Sequence, residues 1–283
     1  MKRILLKGLQ VNEFIHPKEL ENKERALNSS AVQKLLESAA KFCKAWIDPF
    51  THGTFVQLND TCASDLMEIV GDVCKILDVE PIPEVYVSHL MSVNVTPMGT
   101  DNKSYLVVPD YVLNTFDEEM LYYNLGNAIT MIKADHVSLT TLAAYMPGGG
   151  FIEVPKIPFM KYLQAADSTS DRGGLLASQS FAATVRCHLF DMGIPPCESQ
   201  KLFSNDEEAE IFVEKYLSKH EEIIKKYGSL VTRGARQFQR VSYIEASPNE
   251  MLRELFEWYK DPKGYRAVIS RHGNNYIERR KKL

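Results

Sequence analysis

Tyr123-Asn124-Leu125-Gly126-Asn127 places a phenol, an amide and a second amide at positions i, i+1 and i+4 of one short segment. Two histidines at i and i+4 of a helix lie one turn apart on one face. Both rings can then reach one tetrahedral Zn²⁺, while a glutamate beside the first histidine deprotonates the metal-bound water. A neutral phenol and a carboxamide are poor zinc ligands, and an amide accepts no proton at neutral pH. The pentapeptide has the i, i+4 spacing of such a site without its ligands or its base.

The flanking residues predict how that segment is held. Asp117-Glu118-Glu119 offers an N-cap and an acidic first turn, so a helix should run to Lys133 with the pentapeptide in its middle. Upstream, Val32, Leu35, Leu36, Ala39, Phe42, Cys43 and Trp46 recur with helical period over 29–46, and Leu66, Ile69, Val70, Val73 and Leu77 do so over 63–77. Pro81 and Pro83 break the chain before a β-rich run, Glu84 to Ser88. Val93-Asn94-Val95 and Ser104 to Val108 predict two more strands around a turn at Met98 to Asn102. Met146-Pro147-Gly148-Gly149-Gly150, with Pro155 and Pro158, must interrupt helix; further helices are expected over 159–189, 207–227 and 248–260. The fold class expected is α+β, predominantly helical, with a small antiparallel sheet packed on the central helix.

With 283 residues, 45% of them hydrophobic and 25% charged, the chain can bury a sizeable core. A single domain over 1–283 is expected, with a helical region over 1–80, a core over 81–260 and a tail over 261–283. A net charge of -4 gives no broad electrostatic case for nucleic acid or an anionic membrane, and Arg279-Arg280-Lys281-Lys282 reads as a solvated tail. Five cysteines without a C-x-x-C pair suit reduced thiols in the cytoplasm. No uninterrupted apolar stretch approaches the roughly 18 residues of a membrane span, and the start of the chain lacks the apolar core of a signal peptide.

Other candidates for chemistry are weaker. His52, His89, Asp135-His136 and Cys187-His188 do not recur at spacings that build a three-ligand site. Gly148-Gly149-Gly150 lacks the Lys-Ser/Thr of a phosphate loop. Neighbours such as Ser88-His89 point in different directions along a strand, so they do not by themselves form a nucleophile and base.

Several further motifs follow one order along the chain. Pro83-Glu84-Val85-Tyr86-Val87 precedes Asn94, Gly99 and Tyr105-Leu106-Val107-Val108; Glu119-Met120 opens the helix that keeps Leu125-Gly126; His136-Val137 follows. Later come Asp167 with Asp171-Arg172-Gly173-Gly174-Leu175-Leu176, and then Ser247-Pro248, Arg253-Glu254-Leu255 and Trp258. Over nearly its whole length this order resembles the soluble bacterial relatives of the CAAX prenyl endopeptidase and of the heat-shock peptidase HtpX, which are zinc-dependent gluzincins. The resemblance implies a zincin-like metallopeptidase fold in which Tyr123, Asn127 and Asp167 stand at the ligand places, Asn124 at the general base and Ser247 at a substrate-polarising histidine. Asp171, Arg172 and Arg253 belong to the supporting frame. Four of the five chemical places hold residues that cannot perform the family's role, and Asp167 is a shortened ligand.

These substitutions carry specific expectations. Zinc and any other cofactor should be absent, with a hydrogen-bonded cluster of Tyr123, Asn127 and Asp167 in the metal's place. An Asp171–Arg253 ion pair should brace the cleft, and Ser104, Tyr105, Leu106 and Val107, read as an edge strand, could take up a peptide by adding a strand. The resemblance thus implies a catalytically inactive metallopeptidase homologue that binds a peptide or protein partner. Two alternatives stand beside it: an active zinc endopeptidase with non-standard ligands, and a cleft turned to another enzyme chemistry.

Overall fold

The computed structural model describes residues 2–27, 30–89, 94–145, 156–226, 247–273 and 275–278. In chain order the described elements are β1 (Lys2–Ile4), α1 (Pro17–Leu27), α2 (Ser30–Phe42), α3 (Asp48–Thr54), β2 (Val56–Leu58), α4 (Asp60–Leu77), β3 (Glu84–Ser88), β4 (Thr96–Thr100), β5 (Lys103–Pro109) and α5 (Asp110–Thr115). They continue with α6 (Glu118–Lys133), α7 (Val137–Tyr145), α8 (Lys156–Ser178), α9 (Phe181–Asp191), α10 (Pro196–Ser199), α11 (Asp206–Lys226), α12 (Pro248–Lys260), α13 (Tyr265–His272) and β6 (Tyr276–Glu278). The class is α+β and mostly helical.

Local chemistry sets the boundaries of the central elements. Asp117 accepts the Met120 N–H at 2.8 Å and starts α6; Asn59 accepts from Thr61 and Cys62 and starts α4. The helix expected over 159–189 is two helices. Gln179 adopts a left-handed φ of 52° and Ser180 caps α9 through the Ala183 N–H. The periodic run ending at Trp46 closes in a π-helical turn, Cys43–Ile47, between α2 and α3. The Gly148 triplet and the basic run from Arg279 lie outside the described residues.

The principal sheet has the order β2-β3-β5-β4, with β3 and β5 parallel and the other pairs antiparallel, so it is mixed rather than wholly antiparallel. Two expectations are corrected here. Asn94 and Val95 precede a strand instead of forming one, and Met98 to Thr100 belong to β4, leaving the turn to Asp101 and Asn102. Ser104, Tyr105, Leu106 and Val107 are not an edge: β5 is hydrogen-bonded to β3 on one side and β4 on the other, so its backbone groups are already satisfied. Alternation along the strands serves two apolar layers. Val85, Leu106 and Val108 join α4 and α6 in the main core, while Tyr86, Tyr105, Val107 and Met98 meet Cys43, Ile47 and Phe55 on the other face.

At the centre of the molecule, α6 crosses α8 at very close range. A Cβ added to Gly126 would lie 2.3 Å from the Cβ of Ala177, one on Gly173 would lie 1.8 Å from Thr130 Oγ1, and one on Gly174 would lie 2.8 Å from the Tyr123 ring. Glycine is required here by proximity, not by backbone conformation.

The segment leading into α1 docks on α8 and α12 through buried polar groups. Glu19 accepts from Thr169 at 2.5 Å and meets His136 Nε2 at 2.8 Å; Arg172 donates to the carbonyls of Phe14 and Ile15; His16 Nε2 lies 3.3 Å from Glu254. Burial alone would raise the Glu19 carboxyl, but His136 and Thr169 outweigh it and hold Glu19 below its ordinary range. Glu19→Ala is expected to cost about 2–4 kcal/mol in urea unfolding, because His136 and Thr169 lose a buried acceptor. It should also expose the α1 region to limited proteolysis at lower protease concentrations than the parent chain.

Candidate functional site

Tyr123 and Asn127 do share one face of α6, and a carboxylate from α8 meets them, but it is Asp171 and not Asp167. The Tyr123 hydroxyl donates to Asp171 Oδ1 at 2.9 Å, and Asn127 Nδ2 donates to the same oxygen at 2.9 Å. Asp167 and Asp171 are one helical turn apart on α8, and the α6–α8 crossing puts the second of them level with Tyr123. The expected cluster is therefore present in kind, with its carboxylate shifted by one turn.

A fourth member comes from α9. His188 Nε2 lies 3.2 Å from the Tyr123 hydroxyl and 3.7 Å from Asp171 Oδ2, with the two rings 5.9 Å apart. Since the one Tyr123 proton goes to Asp171, the short contact is made by a His188 Nε2–H donating to the phenol oxygen. Cys187-His188 lacks metal-ligand spacing, and nothing in the sequence ties residue 188 to residue 123. The signal available was a histidine in the stretch Phe181–Asp191, which also carries Thr184 and Arg186.

Burial governs the electrostatics. Asp171 and His188 are almost wholly enclosed, with side chains 4% and 2% exposed. Desolvation pushes the Asp171 carboxyl up to about 7, against the pull of its bonds from Tyr123 and Asn127; Oδ2 has no hydrogen-bond partner among the described residues. The same desolvation brings His188 down to about 4, and burial next to Asp171 carries the Tyr123 phenol well above its ordinary value. Near neutrality the phenol and the imidazole are both uncharged, and the group of the cluster that titrates there is Asp171.

Asn124, expected from the resemblance to stand at a general base's place, faces a different set of partners. Its Oδ1 accepts the Val95 N–H at 2.7 Å and its Nδ2 donates to Asn94 Oδ1 at 3.0 Å, while Asn94 Nδ2 donates to Asp191 at 2.9 Å. This chain of amides ties the lead-in of β4 to α6 and to the end of α9. The remaining frame residues are dispersed. Arg253 pairs with Glu221 of α11 instead of Asp171, Arg172 is turned to the carbonyls of Phe14 and Ile15, and Ser247 caps α12 through its carbonyl to Glu250 and Met251. The expected Asp171–Arg253 brace is thus replaced: α11 supplies an acid nearer to Arg253, and Asp171 is enclosed among α6, α8 and α9.

The donor set fits zinc poorly. Asn127 presents its amide nitrogen to Asp171, the phenol would have to surrender a proton that burial holds tightly, and Asn124 points into another network. Among the described residues, no three His, Cys, Asp or Glu side chains stand close enough together to hold a metal ion, and no helix is long and apolar enough to cross a membrane. Compared with protein-family models, with curated proteins and with solved structures, the chain matches none.

Proposed function

We propose that this chain is a noncatalytic relative of the zinc metallopeptidases, with a zincin-like fold, that works in the cytoplasm without a cofactor as a scaffold for a peptide or protein partner. One observation carries the reading: Tyr123 and Asn127, at two of the three ligand places, both donate to Asp171 in a buried cluster that His188 joins. Asp171 accepts the single hydroxyl hydrogen bond of Tyr123, so the phenol is committed within the cluster, which supports a noncatalytic reading. The mixed sheet beside α6 and the helix α8 that carries Asp167 and Asp171 also agree with the order of motifs in the family.

The alternative of an active endopeptidase with unusual ligands would require Tyr123 and Asn127 to leave Asp171. The test is direct. Protein purified without chelator should hold far less than one zinc per chain, and it should leave a mixed peptide library uncut with or without added Zn²⁺. One tightly held zinc per chain, lost together with cleavage in Asp167→Ala, would overturn the reading.

A further inference from the structure

Helix α1 is held to the molecule by polar groups. Of its described side chains, over 17–23, only Glu19 is buried, while Leu20 is 54% exposed. The chain before it is anchored differently, because Leu6, Leu9 and Phe14 lie in the main core. Weakening the polar contacts therefore frees α1 and leaves the preceding segment in place.

The start of α1 has an uncommon chemistry. Pro17, the first helical residue, has no N–H, so Lys18 and Glu19 carry the first donors of the helix. The Glu19 N–H goes to the His16 carbonyl at 2.8 Å, and the Lys18 N–H goes to His16 Nδ1 at 3.3 Å. An imidazole nitrogen thus fills the place that a serine, aspartate or asparagine oxygen fills at most helix starts. It can do so only while it is unprotonated. With Nδ1 accepting, the ring proton is on Nε2, 3.3 Å from Glu254 Oε2 of α12. His16 is itself buried, and its backbone N–H donates to Thr169 Oγ1 of α8 at 2.9 Å.

A second ring proton turns these relations against α1. Nδ1–H would face the Lys18 N–H, and a cation would stand at the positive end of the helix. The charged groups around the ring are Lys18 and Glu19 on α1, Arg172 on α8 and Glu254 on α12, with His136 of α7 behind Glu19. Glu254 is already occupied by Lys18 Nζ and by Ser168 Oγ, the latter at 3.0 Å. Burial, Arg172 and Lys18 oppose the imidazolium and outweigh Glu254 and Glu19, so His16 is lowered from 6.5 to about 4. A histidine lowered in this way contributes fully above 6.5 and loses that contribution as the pH falls toward 4. Glu19, also lowered, acts in the same sense.

We infer that His16 is an acid-sensitive latch for α1: its neutral imidazole caps the helix, and protonation at Nδ1 removes the cap and releases residues 17–23 from α8 and α12. Release uncovers the Thr169 side of α8, the helix that also carries Asp171. The latch is independent of the noncatalytic reading.

Hydrogen exchange of the full chain tests it, read by mass spectrometry on peptides from 17–23 and from α6 and normalised to the intrinsic exchange rate at each pH. Protection of 17–23 relative to α6 should fall roughly fiftyfold between pH 7 and pH 4.5. His16→Asn keeps a capping oxygen and has nothing to titrate, so its protection should stay within about threefold over that range. His16→Ala should show low protection at both pH values. In the parent chain the His16 ring nitrogens and the Lys18 amide should titrate together by NMR, which decides the matter even where a variant does not fold. A flat parent profile, a His16→Asn profile that falls as the parent's does, or a Lys18 amide that titrates apart from the ring would overturn the inference.

Discussion

Replacing Asp171 with asparagine is expected to tilt the pH dependence of stability upward relative to the parent chain between pH 4 and pH 7. A carboxyl raised from 3.8 to about 7 holds its proton in the folded state where the unfolded chain has released it. Its contribution is full below the unfolded value and is lost as the pH climbs through 7. His188, lowered from 6.5 to about 4, behaves oppositely: its contribution is full above 6.5 and is lost as the pH falls toward 4. In the parent chain the two slopes cancel across the shared window. Asp171→Asn removes the falling one, so urea midpoints of the variant should gain on those of the parent by up to about 1.4 kcal/mol per pH unit. His188→Gln should lose on the parent by a similar slope between pH 4 and 6.5. Parallel profiles for all three proteins would show that the cluster does not hold its proton on Asp171. Asp171→Ala is the harsher change, leaving Tyr123 and Asn127 without a buried acceptor at a cost of about 2–5 kcal/mol.

Gly126→Ala is expected to cost about 2–4 kcal/mol, although alanine is the better helix former. The added Cβ would stand 2.3 Å from Ala177 Cβ and 3.2 Å from Gly174 Cα, and the second of these is backbone that moves only if the two helices separate. Gly173→Ala meets Thr130 at 1.8–2.5 Å and should cost more. The contact can be tested from both sides by adding Ala177→Gly to Gly126→Ala, which removes the nearest clash and should recover part of the loss. Ala177→Gly alone should cost about 1 kcal/mol, so a favourable coupling between the two sites is the diagnostic result in a double-mutant cycle. Additive losses would mean that proximity of α6 and α8 is not what excludes a side chain at Gly126. Separation of these helices also draws Tyr123 away from Asp171, so Gly126→Ala should shift the pH profile as well as the midpoint.

The elements that were legible from sequence are those whose signals are local. The Asp117 cap fixes the start of α6, Pro248 and the apolar spacing of the following turns fix α12, and β-branched residues after Pro83 fix β3. A cap or a period is written within a few residues. The break at Gln179 was hidden because no glycine marks the left-handed turn, and the outer position of β2 was hidden because three residues, two exposed and one buried, carry no alternation to read. The candidate site divides in the same way. The spacing of Tyr123 and Asn127 gave their common face, but the choice between Asp167 and Asp171 depends on how far α8 slides along α6. That offset is set by contacts of Gly126, Gly173 and Gly174 with residues far away in the chain. His188 enters from a third helix, and only the assembled packing brings it to Tyr123.

Strands β1 and β6 pair Lys2 with Glu278 and Ile4 with Tyr276, joining the first and last described segments of the chain. Such a contact closes a loop that contains every other described element, and it returns three residue pairs for that entropy. It can form only after the helices between have gathered, so it closes the folding reaction instead of starting it. Under tension applied at Lys2 and Glu278 the same antiparallel pair is loaded one rung at a time, from Lys2↔Glu278 toward Ile4↔Tyr276.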